Sequence, residues 1–122
     1  MENMLTGKTA VVTGSGKRSG IGYAVACKLA AEGANVVIAD LGLNADPELV
    51  VRTGDEGEMA DIAREIAQTH AVETLAVNLD VTRPDSIAHM VKTIAGRFDT
   101  VHILVNNAGA SFGVPNAVHT YD

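Results

Sequence analysis

The chain has 122 residues, enough for one small domain, and 47% of them are apolar while only 3% are aromatic. A core of Val, Ile, Leu and Ala is the kind found in parallel sheets covered by helices. A formal net charge of −6 argues against nucleic acid as a partner, and the single cysteine, Cys27, rules out an internal disulfide and points to a reduced, cytoplasmic setting. Residues Met1–Gly7 lack the basic and apolar regions of a signal peptide, and no apolar run is long enough to span a membrane.

Lys8–Thr13 reads as a strand buried on both faces. It runs into Thr13-Gly14-Ser15-Gly16-Lys17-Arg18-Ser19-Gly20-Ile21-Gly22, a glycine-rich stretch that opens onto a helical pattern. In that helix Ile21, Val25 and Leu29 recur at four-residue spacing, with Ala24 and Cys27 beside them, and are expected to face the sheet. Gly22, Ala24 and Ala26 permit close packing, and Gly33 is the expected stop. Asn35–Asp40 is a second strand.

Residues 41–57 lose periodicity and form a long connection. Met59, Ile62, Ala63 and Ile66 then predict a helix from Glu58 to about His70. Thr74–Leu79 is a third strand ending at Asp80-Val81. Thr82-Arg83-Pro84-Asp85 has the form of a capping box with proline in the first turn. Ile87, Met90, Val91, Ile94 and Phe98 follow at helical spacing. Val101–Val105 is a fourth strand, closed by Asn106-Asn107-Ala108-Gly109, and Ala110–Asp122 reads as loop.

Alternating strands and helices imply parallel pairing through right-handed crossovers, with spatial order 3-2-1-4. The order reverses beside the first strand, and ligands of such sheets bind there, outside the carboxyl ends. Both glycine-containing motifs end the two strands that flank this point. A strand that turns through glycines into a helix suits phosphate, because backbone amides and the helix dipole converge on the anion. The competing structural explanation is a tight turn without ligand.

These residues resemble the N-terminal half of the short-chain dehydrogenase/reductases, from Gly7 to Gly109. Four motifs carry the resemblance: Thr13-Gly14 with Gly20-Ile21-Gly22, the acid at Asp40, Asp80-Val81, and Asn106 to Gly109. It implies a Rossmann-type α/β fold, a doubly wound parallel sheet. It also implies that Gly14, Gly20 and Ile21 lie along a cofactor pyrophosphate, with Ser15 and Ser19 in the same loop. By the same resemblance Asp40, followed by Leu41, meets the adenosine ribose, and Asp80 and Val81 flank the adenine. Asn106, Ala108 and Gly109 then support the nicotinamide side.

Two departures stand out. Five residues, Ser15–Ser19, separate Gly14 from Gly20 where the family usually has three. Lys17 and Arg18 in this insertion either approach the phosphates or turn to solvent. The family's catalytic Tyr-x-x-x-Lys lies downstream of the matched motifs. Tyr121 has no lysine four residues on, and Ser111 is an ordinary loop serine. No catalytic residue is therefore assigned, and the four histidines show no metal-ligand spacing.

The expectation is a single NAD(P)-binding domain over residues 1–122, incomplete at its C-terminus. It would be the cofactor-binding portion of an oxidoreductase moving hydride between nicotinamide and an alcohol or carbonyl substrate, and inactive alone. NAD is expected over NADP. Asp40 facing a 2′-phosphate would cost on the order of 4 kcal/mol at about 4 Å and an effective dielectric of about 20. A non-catalytic dinucleotide-binding or interaction module, or a truncated remnant, is the alternative. The apolar fourth strand is expected to take a further strand or to self-associate as a homo-oligomer.

Overall fold

A computed structural model describes residues 4–42 and 56–108. Its elements are β1 (Thr9–Thr13), α1 (Ile21–Ala31), β2 (Asn35–Asp40), α2 (Glu56–His70), β3 (Thr74–Asn78), α3 (Pro84–Ala95) and β4 (Ile103–Val105). The strands form one sheet in the order β3-β2-β1-β4, and every pair is parallel. The expected architecture is thus the observed one. Most of the connection expected over residues 41–57 and the final loop lie outside the described residues.

Two apolar clusters sandwich the sheet. On one face Val12, Val36 and Ile38 meet Ala26 and Ala30 of α1 and Met59, Ile62 and Ile66 of α2. On the other, Val11, Val37, Ala39 and Val77 meet Met90 and Ile94 of α3, with Phe98 just beyond it. Alternation along β1 and β2 explains the division, since successive side chains leave opposite faces. Among the described residues β4 lies at a sheet edge.

The face of α1 differs from the expected one. Gly22, Ala26 and Ala30 are its buried residues, whereas Ile21 is 76% exposed. Branched side chains already fill the sheet surface, so the helix approaches with its small residues. Val25 and Leu29 pack at the flanks. Gly33, at φ +98°, ends the helix as expected, donating to the Ala30 carbonyl at 2.9 Å.

The capping box also differs. Arg83 is the N-cap of α3 and no side chain caps the helix. The Thr82 hydroxyl donates instead to Asp80 Oδ1 at 2.6 Å. Pro84 does occupy the first turn, where its missing N–H loses nothing. β4 is shorter than the expected Val101–Val105, and just before it His102 meets β1 with both its backbone and its side chain. The Thr9 N–H donates to His102 Nδ1 at 3.0 Å, and the His102 N–H donates to the Thr9 carbonyl at 2.9 Å.

Candidate cofactor site at the carboxyl ends of the strands

Thr13, the last residue of β1, joins the two motifs. Its hydroxyl donates to the Val105 carbonyl at 3.3 Å and accepts from the Asn107 and Ala108 amides at 3.0 Å each. The carboxyl end of β4 is thereby folded against the glycine loop. Asn107 adds a second tie, donating from Nδ2 to the Gly14 carbonyl at 3.1 Å.

Gly14 must be glycine for two reasons. Its φ is +70°, and a Cβ there would lie 2.9 Å from Ala108 Cα. Gly22, in the first turn of α1, is equally constrained: a Cβ would lie 2.6 Å from both Asn107 Nδ2 and the Gly14 carbonyl oxygen. Gly14, rather than Gly16, thus occupies the close-approach position beside the Asn106–Ala108 turn. Ser15–Ser19 are then the lengthened part of the loop.

The lengthened loop holds itself in place. Ser15 is fully buried, and its hydroxyl donates to the Val12 carbonyl at 2.7 Å. The Gly20 amide closes a turn onto the Lys17 carbonyl at 3.1 Å. The two cations part company. Arg18 turns toward α2: its amide donates to Glu58 Oε2 at 3.0 Å and its guanidinium pairs with Glu65, which raises its pKa further. Lys17 stays at the helix start, its Cγ and Cε 3.5 and 3.6 Å from where a Gly20 Cβ would stand.

The first turn of α1 is open. Gly20 is an extended N-cap with no side-chain cap, and no acid occupies the first turn. Its leading amides and the positive end of its dipole are therefore available to an anion. Ser19 is exposed beside it, and the Ile21 side chain projects outward next to it.

Asp40 ends β2 with little exposure, 8%, and both carboxylate oxygens are engaged. Oδ2 accepts from the Gly16 amide and Oδ1 from the Leu41 amide, each at 2.8 Å. The Leu79 amide ties the end of β3 to the Asp40 carbonyl at 2.7 Å. Asp80, next in the chain, accepts at Oδ1 from the Thr82 hydroxyl and from the Thr82 amide at 2.9 Å. These bonds hold its carboxyl below the usual carboxylate range, with Arg83 adding to the effect. Its own amide donates to Ser86 Oγ at 2.9 Å. Val81 is exposed alongside.

The structure therefore gathers the expected residues along one side of the sheet, at the carboxyl ends of its strands. Asn106 and Ala108 are exposed there; Gly109 lies outside the described residues. Asn107, which lies between the expected Asn106 and Ala108, makes the side-chain contact to the loop. Thr13 and Gly22 were visible as motif letters, but their joining role needed the geometry. No helix among the described residues is long and apolar enough to cross a membrane.

The family profile described as enoyl-(acyl carrier protein) reductase matches residues 14–121. A 12alpha-hydroxysteroid dehydrogenase from Clostridium sp. is 32% identical over 121 residues, covering 95% of this chain and 42% of that protein. A D-beta-hydroxybutyrate dehydrogenase from Rhizobium meliloti is 40% identical over 105 residues, covering 86% of this chain and 35% of that protein. The crystal structure of L-sorbose reductase from Gluconobacter frateurii, complexed with NADPH and L-sorbose, superposes with a TM-score of 0.75 at 30% identity. It covers 100% of this chain and 40% of that one. The chain spans about two-fifths of the length of these relatives. With its strand order and its motifs in place, the chain belongs to the short-chain dehydrogenase/reductase family.

Proposed function

We propose that the chain is the cofactor-binding portion of an NAD(P)-dependent short-chain oxidoreductase, folded as a single dinucleotide-binding domain. The observation that carries this reading is the uncapped, acid-free first turn of α1, set beside the Gly14–Ala108 contact at the point where strand order reverses. Gly14, Gly20 and Ile21 would receive the pyrophosphate. The Asp80–Val81 turn would receive the adenine, and the Asn106–Ala108 turn the nicotinamide ribose. When bound, the cofactor supplies hydride exchange with an alcohol or carbonyl carbon. This chain contributes binding and orientation; the acid/base would come from a Tyr-x-x-x-Lys outside the matched motifs, so hydride transfer is not expected from these residues alone.

NAD(H) is proposed over NADP(H), because the buried negative charge of Asp40 lies at the strand end where a 2′-phosphate would approach. Lys17 opposes this preference, while Arg18, paired with Glu65, does not. A reduced, cytoplasmic setting suits the unpaired thiol of Cys27. The exposed apolar side chain of Leu104 on β4 supports further pairing or self-association at that edge.

Fluorescence titration with NADH and NADPH tests this reading. Saturable binding with NADH the tighter ligand is expected. Absence of binding by either would contradict the function, and tighter NADPH binding would contradict the preference.

A further inference from the structure

One polar side chain in the first turn of α3 stands apart from its neighbours. From Val81 to His89 every residue is exposed except Ser86, which is half-buried. Ser86 is the third residue of α3, and serine forms helix less readily than alanine, so helix propensity does not account for it. Its hydrogen bond does. Ser86 Oγ accepts from the Asp80 amide at 2.9 Å, six residues back along the chain. A side chain at the third helical position ordinarily reaches back to the N-cap amide. Here it reaches past Arg83, the N-cap, to the residue that opens the Asp80–Thr82 turn.

The bonds of that turn are of two kinds. Some give it shape and are local. Asp80 Oδ1 accepts from the Thr82 amide and hydroxyl, and the Asp80 carbonyl accepts from the Arg83 amide at 3.1 Å. These would persist if the turn moved as a unit. Others give it a place and reach outside. The Leu79 amide fastens the end of β3 to the Asp40 carbonyl, and the Asp80 amide fastens the turn itself to Ser86. Val81, 48% exposed, follows directly after this anchor. Where Val81 stands at the carboxyl end of β3 is therefore set in part from α3.

We propose that Ser86 is a positioning residue: it holds the Asp80–Val81 turn in place for the adenine half of a dinucleotide and acts on binding through that turn. The proposal rests on the dinucleotide-binding reading above. It adds to that site a residue outside the motifs that suggested it.

The test compares the parent with Ser86→Ala, which removes the acceptor, and Ser86→Thr, which keeps it. Alanine favours helix more than serine does, so α3 itself should not be weakened by the first change. Without nucleotide, hydrogen exchange at the Asp80 amide should be slow in the parent and in Ser86→Thr. It should be about fivefold faster in Ser86→Ala, the scale of one neutral hydrogen bond. With ligand, adenosine diphosphate and reduced nicotinamide mononucleotide are titrated into each protein and followed by amide chemical shifts. Ser86→Ala should bind adenosine diphosphate about fivefold more weakly and the mononucleotide, which lacks adenine, as the parent does. Ser86→Thr should restore the parent's affinity. Equal losses for both ligands would mean a general structural role and would overturn the proposal. So would an unchanged affinity for adenosine diphosphate in Ser86→Ala, a Ser86→Thr variant as weak as Ser86→Ala, or a fast-exchanging Asp80 amide in the parent. A parent that binds neither ligand would instead defeat the function proposed above, and the adenine role of Ser86 with it.

Discussion

β1 and β4 run side by side in parallel register and are built from the same kinds of residue, yet only one is buried. Every residue of β1 is buried, whereas Leu104 of β4 is 57% exposed. Val11 and Leu104 are direct partners in the ladder. Val11 sits over the α3-side cluster with a strand on each side; Leu104 has a strand on one side only among the described residues. Burial follows from position in the sheet, not from the apolar character of the strand. The two strands are nonetheless bound firmly at their carboxyl ends, where the Thr13 hydroxyl bridges them.

The largest expected effect comes from disturbing that junction. Gly22→Ala places a Cβ 2.6 Å from the Gly14 carbonyl oxygen, a backbone atom, and 2.6 Å from Asn107 Nδ2, which bonds that same oxygen. A loss of about 3 kcal/mol in unfolding free energy is expected, measured by urea denaturation. Truncating the in-register pair tests the burial contrast itself. Val11→Ala should cost about 2 kcal/mol and Leu104→Ala about 0.5 kcal/mol or less. Equal costs would mean that the edge of β4 is covered in solution. Thr13→Val keeps the shape but removes the acceptor of two amides. It should cost about 2 kcal/mol and weaken nucleotide binding, seen in parallel denaturation and titration.

Much of this was legible in the sequence. The strand–helix alternation sufficed for the sheet order, because right-handed crossovers leave few choices. The buried face of α2 was legible in Met59, Ile62, Ala63 and Ile66, all of which are buried. The face of α1 was not. Periodicity weighs large apolar residues, while contact here went to Gly22, Ala26 and Ala30 because β1 and β2 had already filled the space. Nor could periodicity separate Asn106 from Asn107, since which neighbour turns inward depends on where Thr13 and Gly14 stand. The Thr82 capping box failed for a related reason. The helix starts one residue later than a Thr82 cap requires, with Arg83 at the N-cap, and the Thr82 amide and hydroxyl are both turned onto Asp80 in a local turn.

The smallest predicted effect concerns Asp80, at the far end of the same row of strand termini. Its folded-state pKa is lowered, chiefly by the Thr82 hydroxyl and then by the Thr82 amide. Its stabilising contribution is therefore present above the unfolded carboxylate pKa of about 4 and is lost as pH falls through the lowered folded value. Asp80→Asn should be slightly less stable than the parent at neutral pH, by well under about 1 kcal/mol because the group is partly exposed. The difference should vanish in acid, as read from denaturation midpoints across pH.

The central claim is that nucleotide binds where β1 and β4 are joined. Amide chemical-shift mapping with NADH tests it most directly. The largest shifts are expected at Gly14, Gly20, Ile21 and Ala108, with His102 and Thr9 at the amino end of the same two strands unmoved. Shifts concentrated around Thr9 and His102, or no saturable shifts at the glycine loop, would contradict the account.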